Sequence, residues 1–484
     1  MQVSPVLVRV TDGTTRWAGE PTVVAPADAF TVQGTLASEV ADALDVALAP
    51  AERARLATVL TRDTVAFAAV ERGRRIMQAS DSIPLQQRLR RALPEFEAAY
   101  EREPAAAAGW AEASYVLQRM GQVASSTTLI DSAAVLARAA LALDPGNAQA
   151  VNTIAIFESA HARIQAYRAV IERAVRAHPS SAELRVILAL VQYETGQADR
   201  AWPSALAALQ LAPRSTHVID RSLRVALALR RYGDARELVA RRQALDPTSA
   251  ISDAQATQVA AVVGDTSGVA RAVRAYQAKG GQLLASSVPF NYLRLGDKAN
   301  RDMLLTGTPA TFGALDAFDT LRVYMQQMNL LMQRGDSVRA RPLLTHALAL
   351  TARIANAAPP RLKATLGLQV AWFAAARGDR AGANLALTSY ANTYAAELRD
   401  APGGIEDAVL TCTRAEVAGL VGDVAAMLTP LRQCLTMPNG YDLVTLRTEL
   451  AFTRHAADPR PLALAAELAA AEERARNTPV QTSR

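Results

Sequence analysis

The chain has 484 residues, of which 50% are apolar and only 5% aromatic, and its formal net charge is +6 at pH 7. A chain of this length forms two or three ordinary domains or one long repeat array. The small positive charge does not favour a nucleic-acid partner, and the low aromatic content suits close helix packing better than a sheet core.

Strand-like alternation is confined to the start of the chain. Residues 2–24 predict two strands joined by an Asp12-Gly13 turn, and residues 27–48 predict a helix that ends at Pro50. Because a lone hairpin with one helix is barely stable in water, we expect residues 1–50 to be a partial α/β domain.

Residues 51–281 predict an array of helical hairpins. The first hairpin is expected between residues 61 and 103, where Pro94 should kink the second helix or start it afresh. Further on, four prolines recur at one constant spacing, each closing a run rich in Ala, Leu or Arg: Pro145, Pro179, Pro213 and Pro247. A fixed period of this size indicates stacked hairpins, because one hairpin cannot bury its apolar stripe alone.

Glycines follow the unit-starting prolines at a regular distance. Gly121, Gly196 and Gly264 come half a period after Pro104, Pro179 and Pro247. A glycine there is typical of the left-handed turn that ends the first helix of a hairpin. Gly233 instead comes three residues later in its unit, counted from Pro213, so we expect that unit to divide its length differently between its two helices.

These repeats resemble the tetratricopeptide repeat (TPR). Trp110 and Tyr115 follow Pro104 at the spacing of that family's large aromatic residue and tyrosine, and Ala201 and Ala208 match its two small positions. Departures from the pattern are Arg185 and Asp253 at a large-apolar position and about seven extra residues before Pro145. The resemblance implies an all-α fold, a TPR-like α-solenoid of antiparallel hairpins, here with a short N-terminal β-hairpin and helix.

The resemblance also implies a concave groove that holds a peptide or a partner protein. By the family's register it is lined by Ala111, Tyr115, Asn152, Ile156, Val186, Leu190, Asp220 and Arg224. Only Asn152 fits the lysine and asparagine set with which some members clamp a terminal carboxylate, so that variant is not supported. The apolar middle of the groove suits an amphipathic helix, or alternatively these residues pack against neighbouring helices.

The strict period is lost after Gly281. Residues 282–315 are rich in Gly, Pro, Ser and Thr, so we expect an irregular connection. Residues 316–476 predict longer helical pairs with Gly-Asp turns, then a capping helix at 459–476, and residues 477–484 predict a polar tail. Two of the turns contain Arg-Gly-Asp, which we interpret as hairpin turns rather than integrin-recognition motifs.

The sequence shows no motif for catalysis, a cofactor or a metal ion. The five histidines include no HxxxH or HxH pair, and there is no phosphate-binding loop or nucleophile elbow. We therefore expect neither enzyme activity nor a cofactor, and no small-molecule substrate is indicated.

Seven arginines and three acids lie within residues 220–242. They predict either a positive stripe for an acidic peptide or an RNA backbone, or a solvated face whose arginines lie near helix-end carbonyls. Since only Tyr232 is close enough to stack on bases, the second interpretation is favoured.

Cys412 and Cys434 are the only cysteines, and they belong to no CxxC pair. We expect two buried free thiols in a reducing cytoplasm. No apolar run approaches the length of a membrane span, and the first ten residues lack the features of a signal peptide, so no membrane segment is expected.

The N-terminal segment resembles the closing half of a small α/β domain, similar to the amino-terminal domain of TolB, that precedes TPR arrays in bacterial signalling proteins. The stretches that carry this resemblance are VSPVLVRVTDGTTRW and DAFTVQGTLASEVADAL. Together the two resemblances imply a non-catalytic scaffold that binds a peptide or protein in bacterial signalling. The alternative is the regulatory or sensor part of a longer kinase, cyclase or transcriptional regulator whose catalytic or DNA-binding module is encoded upstream of Met1.

Overall fold

The structure is a computed structural model. It describes residues 2–9, 13–23, 29–44, 63–78, 83, 85–124, 126–285, 287–313, 317–357, 360–455, 457–461, 463–464, 466–467 and 470. Two compact units make up the chain: unit 1 comprises Met1–Ala79 and Leu85–Leu184, and unit 2 comprises chiefly Arg185–Arg484. Most of the predicted capping helix and all of the predicted tail lie outside the described residues.

The N-terminal strands form two short antiparallel pairs around a turn. The strands are β1 (Gln2–Val3) paired with β4 (Thr22–Val23), and β2 (Val6–Val8) paired with β3 (Thr15–Ala18). Gly13 takes a positive φ of 68° in the turn, and Asp12 lies outside the described residues. Helix α1 (Ala29–Ala43) follows, and its predicted end at Pro50 is not described.

Unit 1 continues as helices that pack in sequence order, each against the next. They are α2 (Thr64–Gln78), α3 (Leu85–Arg102), α4 (Ala107–Ala124), α5 (Thr127–Leu143), α6 (Ala148–Ala160) and α7 (Ile164–Ala177). Helix α3 runs through Pro94 without restarting, which corrects the prediction of a second start there. Alanines at 0% exposure on α5, such as Ala133 and Ala137, let neighbouring helices approach closely.

Helix α8 (Ala182–Glu194) begins in unit 1, and the remaining helices belong to unit 2. The regular hairpins are built from α9 (Ala198–Leu211), α10 (Thr216–Ala228), α11 (Tyr232–Leu245), α12 (Ala250–Val262) and α13 (Thr266–Ala278). The second set of helices is α16 (Ala317–Gln333), α17 (Ser337–Ala357), α18 (Pro360–Ala376), α19 (Arg380–Thr393), α20 (Ala395–Asp400), α21 (Ile405–Leu420) and α22 (Val424–Thr436), of which α16, α17, α18 and α21 are longer than the regular ones. Between these two sets lie α14 (Val288–Tyr292) and α15 (Lys298–Thr306), and two short helices, α23 (Leu443–Thr448) and α24 (Leu450–Thr453), follow α22.

The segment predicted to be irregular is partly helical. Helices α14 and α15 and a 3-10 turn at Leu293–Leu295 fall inside residues 282–315. They are held by a local apolar core in which Phe290 packs against Phe312, with ring centroids 4.9 Å apart. The Gly and Pro content of this stretch therefore marks short elements and not an unstructured connection.

The left-handed residues of successive hairpin turns recur at the same period as the prolines, even where the residue is not glycine. The residue with positive φ in four successive turns is Ala162 (58°), Gly196 (82°), Arg230 (56°) and Gly264 (75°). Gly233 lies inside α11, and α10 and α11 have the ordinary lengths of 13 and 14 residues, so the expected redistribution of length was wrong.

Gly121 is not a turn residue either. It is buried within α4, where an added Cβ would lie 2.7 Å from Ile130 Cγ1 of α5. Glycine at this position serves close helix packing, and the extra residues of this unit lengthen its two helices.

The Gly-Asp pairs of the C-terminal part are hairpin turns, as predicted. Gly378 and Gly422 have φ values of 87° and 83°. The aspartate after each glycine caps the next helix: Asp379 accepts from the Gly382 N–H at 2.9 Å, and Asp423 accepts from the Ala426 N–H at 3.0 Å. In the other Arg-Gly-Asp triplet, Gly335 has a φ of 73° and Asp336 accepts from the Arg339 N–H at 3.1 Å, so both triplets are capped hairpin turns.

Candidate protein-binding surface

Three of the predicted groove residues form a partly open face in unit 1. Tyr115 lies on α4, and Asn152 and Ile156 lie one turn apart on α6; all three are half-buried. Helices α4 and α6 pack against each other, and the hydroxyls of Ser114 and Thr153 lie 3.3 Å apart between them. The first helices of two neighbouring hairpins therefore present these side chains side by side.

The acid next to this face is already paired. Glu112 Oε1 accepts from Arg74 Nε at 2.7 Å, and Arg74 also pairs with Glu71 at 2.9 Å. Burial raises the pKa of Glu112 even though Arg74 opposes that shift. The face therefore offers an aromatic ring, an amide and an aliphatic side chain rather than a free charge.

The groove residues of α8 that fall in unit 2 are covered. Val186 has 0% and Leu190 has 7% of its surface exposed. These side chains pack within the protein, which was the alternative interpretation of the apolar middle. They leave little surface for a partner in this conformation.

Asp220 and Arg224 on α10 both have partners inside unit 2. Asp220 accepts from Gln255 Nε2 at 2.8 Å and lies 3.4 Å from Arg242 Nε, and burial raises the pKa of its carboxyl group. Arg224 lies 3.9 Å from Glu194 and keeps 60% of its side chain exposed. Of this pair, only Arg224 extends well into solvent.

The arginines of residues 220–242 do not form a continuous positive stripe. Arg242 is buried with 5% exposure, and Arg231 stacks over the Trp202 ring at 4.7 Å. Arg241 donates to the Pro213 carbonyl, and Arg230 donates to the Tyr441 carbonyl at 2.8 Å. These arginines thus contact acids, an aromatic ring and backbone carbonyls of the protein itself. This agrees with the interpretation of residues 220–242 as a structural face and not as a positive stripe for a ligand.

Sequence reasoning missed that three successive hairpin turns are covered by the C-terminal part of unit 2. An added Cβ at Gly196 would lie 2.1 Å from the Pro402 carbonyl oxygen, and one at Gly264 would lie 3.2 Å from Val444. Between them, the Ala228 carbonyl accepts from the Asn439 N–H at 3.0 Å. Unit 2 therefore folds back on itself along the turn edge of its first repeats.

A buried polar cluster lies beside this contact. Glu416 accepts from Tyr441 Oη at 2.7 Å and from Trp372 Nε1 at 2.8 Å. Arg294 and Asn329 both donate to Glu449. Burial, with Glu449 nearby, raises the pKa of Glu416 to about 7, although the two donors and Arg294 lower it.

Cys412 and Cys434 form a disulfide, which corrects the expectation of two free thiols. Both residues are buried, and their Cα atoms lie 4.9 Å apart. Cys412 comes ten residues before Gly422 and Cys434 twelve residues after it. This near-symmetry about the turn places the two residues opposite each other on α21 and α22, and it is a signal that the sequence contained.

Within the described part of the chain, no group of three or more His, Cys, Asp or Glu side chains could hold a metal ion. The histidines lie apart in helical or helix-end positions; His178, for example, lies against Gly146 in unit 1. None of the described helices combines the length and hydropathy that crossing a bilayer requires.

Among known proteins, no family model and no curated protein matches the chain. The TPR protein YrrB, described as having an unusual peptide-binding site, is 18% identical over 38% of this chain and 91% of its own, with a TM-score of 0.25. PilF of Pseudomonas aeruginosa is 19% identical over 48% of this chain and 97% of its own, with a TM-score of 0.30. A TPR protein from Parabacteroides merdae is 12% identical over 60% of this chain and 94% of its own, with a TM-score of 0.30.

The fold is an all-α array of TPR-like helical hairpins with a short N-terminal sheet. The regular succession of hairpins and the four left-handed turns at the period of the prolines are the features of this chain that carry the assignment.

Proposed function

We propose that this chain is a non-catalytic scaffold that binds a peptide or a protein partner through the first helices of the hairpins in unit 1. The observation that carries the proposal is the half-open face formed by Tyr115, Asn152 and Ile156. Stacked hairpins of this kind present an extended face to which several repeats contribute. The N-terminal resemblance adds a role in bacterial signalling to the proposal.

The chemistry of the three side chains favours a segment of polypeptide. The Asn152 amide has both a donor and an acceptor for a peptide backbone, and Tyr115 supplies an aromatic face with a polar tip. Ile156 supplies apolar surface one turn away on the same helix. Val186, Leu190 and Asp220 would join the binding surface only if their present contacts opened, whereas Arg224 keeps 60% of its side chain exposed beside Glu194.

Site-specific photocrosslinking in the native cell tests the proposal. A photoreactive amino acid at position 115 or 156 should crosslink a distinct partner, whereas one at Val135, which is 62% exposed on the second helix of a hairpin, should not. The variant Ile156→Asp should abolish the crosslink formed at position 115. Equal crosslinking from position 135, or none from either groove position, would contradict the proposed surface.

The disulfide also changes the proposed location. A reducing cytoplasm was expected from the sequence, but buried disulfides are typical of oxidising compartments. We therefore propose that the chain works in an oxidising compartment. Native cells are lysed in acid, and the denatured chain is then treated with a maleimide-linked polymer that adds mass to free thiols. We expect no gel shift. A shift corresponding to two free thiols would instead favour the cytoplasm.

A further inference from the structure

Tyr441 joins the disulfide to the edge of the first repeats in unit 2. Its N–H donates to Cys434 Sγ at 3.2 Å, and its carbonyl accepts from Arg230 Nη2 at 2.8 Å. Its hydroxyl donates to Glu416 on α21 at 2.7 Å. One residue of the loop 437–442 thus contacts a disulfide sulfur, a hairpin turn and the helix that carries the other cysteine.

The hairpin turn on the opposite side is adapted to this loop. Arg230 holds a left-handed conformation at the position where the neighbouring turns have Gly196 and Gly264. A bulky residue with positive φ is uncommon and carries a backbone cost, so a compensating contact is expected. The contact is present: the Arg230 guanidinium also reaches the Cys434 carbonyl at 3.5 Å, and the Ala228 carbonyl accepts from the Asn439 N–H.

These hydrogen bonds hold the loop 437–442 together with the packing of Tyr441 against the apolar core of unit 2. It connects α22 to α23 without helix or strand of its own, and Asn439 is exposed. Tyr441 adds an edge-on contact with Phe452, with ring centroids 5.9 Å apart. Cys434 provides an acceptor for Tyr441 of the loop and another for Arg230 of the turn, so its position affects both partners of this contact.

We propose that oxidation of Cys412 and Cys434 docks the loop 437–442 on the turn 228–230 and closes unit 2, and that the reduced chain leaves this edge open. Two thiol sulfurs repel each other at bonding distance. In the reduced chain Cys434 therefore moves away from Cys412 and takes with it the acceptors that Tyr441 and Arg230 use.

The chemistry requires a disulfide-bearing oxidant. One cysteine thiolate attacks that disulfide to give a mixed disulfide, and the second thiolate then displaces the oxidant sulfur. Two protons leave the cysteine thiols, two electrons pass to the oxidant, and the oxidant departs as a dithiol once it is protonated. The edge at 228–230 is accordingly uncovered before oxidation and an internal contact after it.

Hydrogen exchange of the full chain tests the proposal. In Cys412→Ser, which keeps the Cys434 sulfur as an acceptor, the amides of Asn439 and Tyr441 should exchange about tenfold faster than in the oxidised wild type. Thr413→Ser is the matched control on the same helix, because the Thr413 hydroxyl bonds only the Val409 carbonyl of its own helix. Exchange in α6 of unit 1 should stay unchanged in both variants.

Two results would overturn the proposal. Equal protection of Asn439 and Tyr441 with and without the bond would show that the loop docks independently of oxidation. Faster exchange throughout α21 and α22 to the same degree would show that the bond holds the hairpin and not the loop. If Cys412→Ser does not fold, Arg230→Gly keeps the disulfide and should release the same two amides, and their unchanged protection would equally refute the docking contact.

Discussion

Three glycine-to-alanine substitutions in unit 2 should have effects of different sign and size, because the added methyl meets three different environments. Gly233 lies inside α11, and beyond its chain neighbours and its own helix backbone no heavy atom lies within 4 Å of an added Cβ. Gly378 has a positive φ of 87° and equally open space around it. Gly196 has a positive φ of 82°, and an added Cβ there would lie 2.1 Å from the Pro402 carbonyl oxygen.

The magnitudes follow from helix propensity, backbone strain and overlap. Gly233→Ala should raise the free energy of unfolding by about 0.5–1 kcal/mol, since alanine is the better helix former. Gly378→Ala should destabilise by about 1 kcal/mol, because a left-handed conformation is costly for a residue with a Cβ. Gly196→Ala carries the same strain plus about 1–3 kcal/mol for displacing the Pro402 backbone, so about 2–4 kcal/mol in all.

Urea unfolding monitored by tryptophan fluorescence measures the three changes, since Trp202 and Trp372 are both buried in unit 2. The order of midpoints should be Gly233→Ala above wild type, then Gly378→Ala, then Gly196→Ala. Equal midpoints for the last two would show that the turn at Gly196 does not touch the segment around Pro402. A loss of stability in Gly233→Ala would place the turn of that repeat at Gly233 and not at Arg230.

Three further predictions concern the disulfide and the buried charges of unit 2. Cys412→Ser should lower the free energy of unfolding by about 3 kcal/mol, the value expected for opening a cross-link across 22 residues, and an unchanged urea midpoint would contradict this. Burial raises the pKa of Glu416, so between about pH 4.5 and about pH 7 the folded chain holds a proton that the unfolded chain has released. The free energy of unfolding should therefore fall by up to about 3 kcal/mol as the pH rises through this window. Glu416→Gln should flatten the stability profile in that pH window, and an identical profile in the variant would exclude Glu416 as its source. Lys279→Met should lower the free energy of unfolding by about 3 kcal/mol or more, because it leaves Asp253 buried without its partner at 2.6 Å. Lys298→Met removes an exposed pair and should change the urea midpoint little. Equal effects of the two variants would contradict the argument.

The sequence was sufficient to predict the hairpins because their signals are local. Regularly spaced prolines and Gly-Asp pairs with a capping aspartate depend only on neighbouring residues, and the structure has helices and turns at those places. Ala162 and Arg230 were missed as turn residues because neither is glycine, although each follows its proline at the same distance as Gly196 and Gly264 follow theirs. Counting from the prolines would have found both.

The closure of unit 2 could not be predicted in the same way. Asn439 and Ala228 lie far apart in the sequence, and neither residue type has a preference for such a contact. The burial of Val186 and Leu190 is likewise a tertiary result, since the same apolar residues line an open groove or a closed core. By contrast, the disulfide had a readable signal in the placement of its cysteines about one hairpin turn.

Departures from the repeat pattern in unit 2 coincide with contacts that compensate them. Asp253 occupies a large-apolar position and is only 4% exposed, and one of the three lysines of the chain, Lys279, lies beside its carboxylate. Arg230 occupies a glycine position, and its guanidinium bonds the Tyr441 carbonyl. The partner of Asp253 follows the second helix of its own hairpin, α13, whereas the partner of Arg230 comes from the distant loop 437–442. An isolated hairpin would therefore keep the first compensation and lose the second. Of the two departures, the one at Arg230 therefore identifies a repeat whose structure depends on the rest of unit 2.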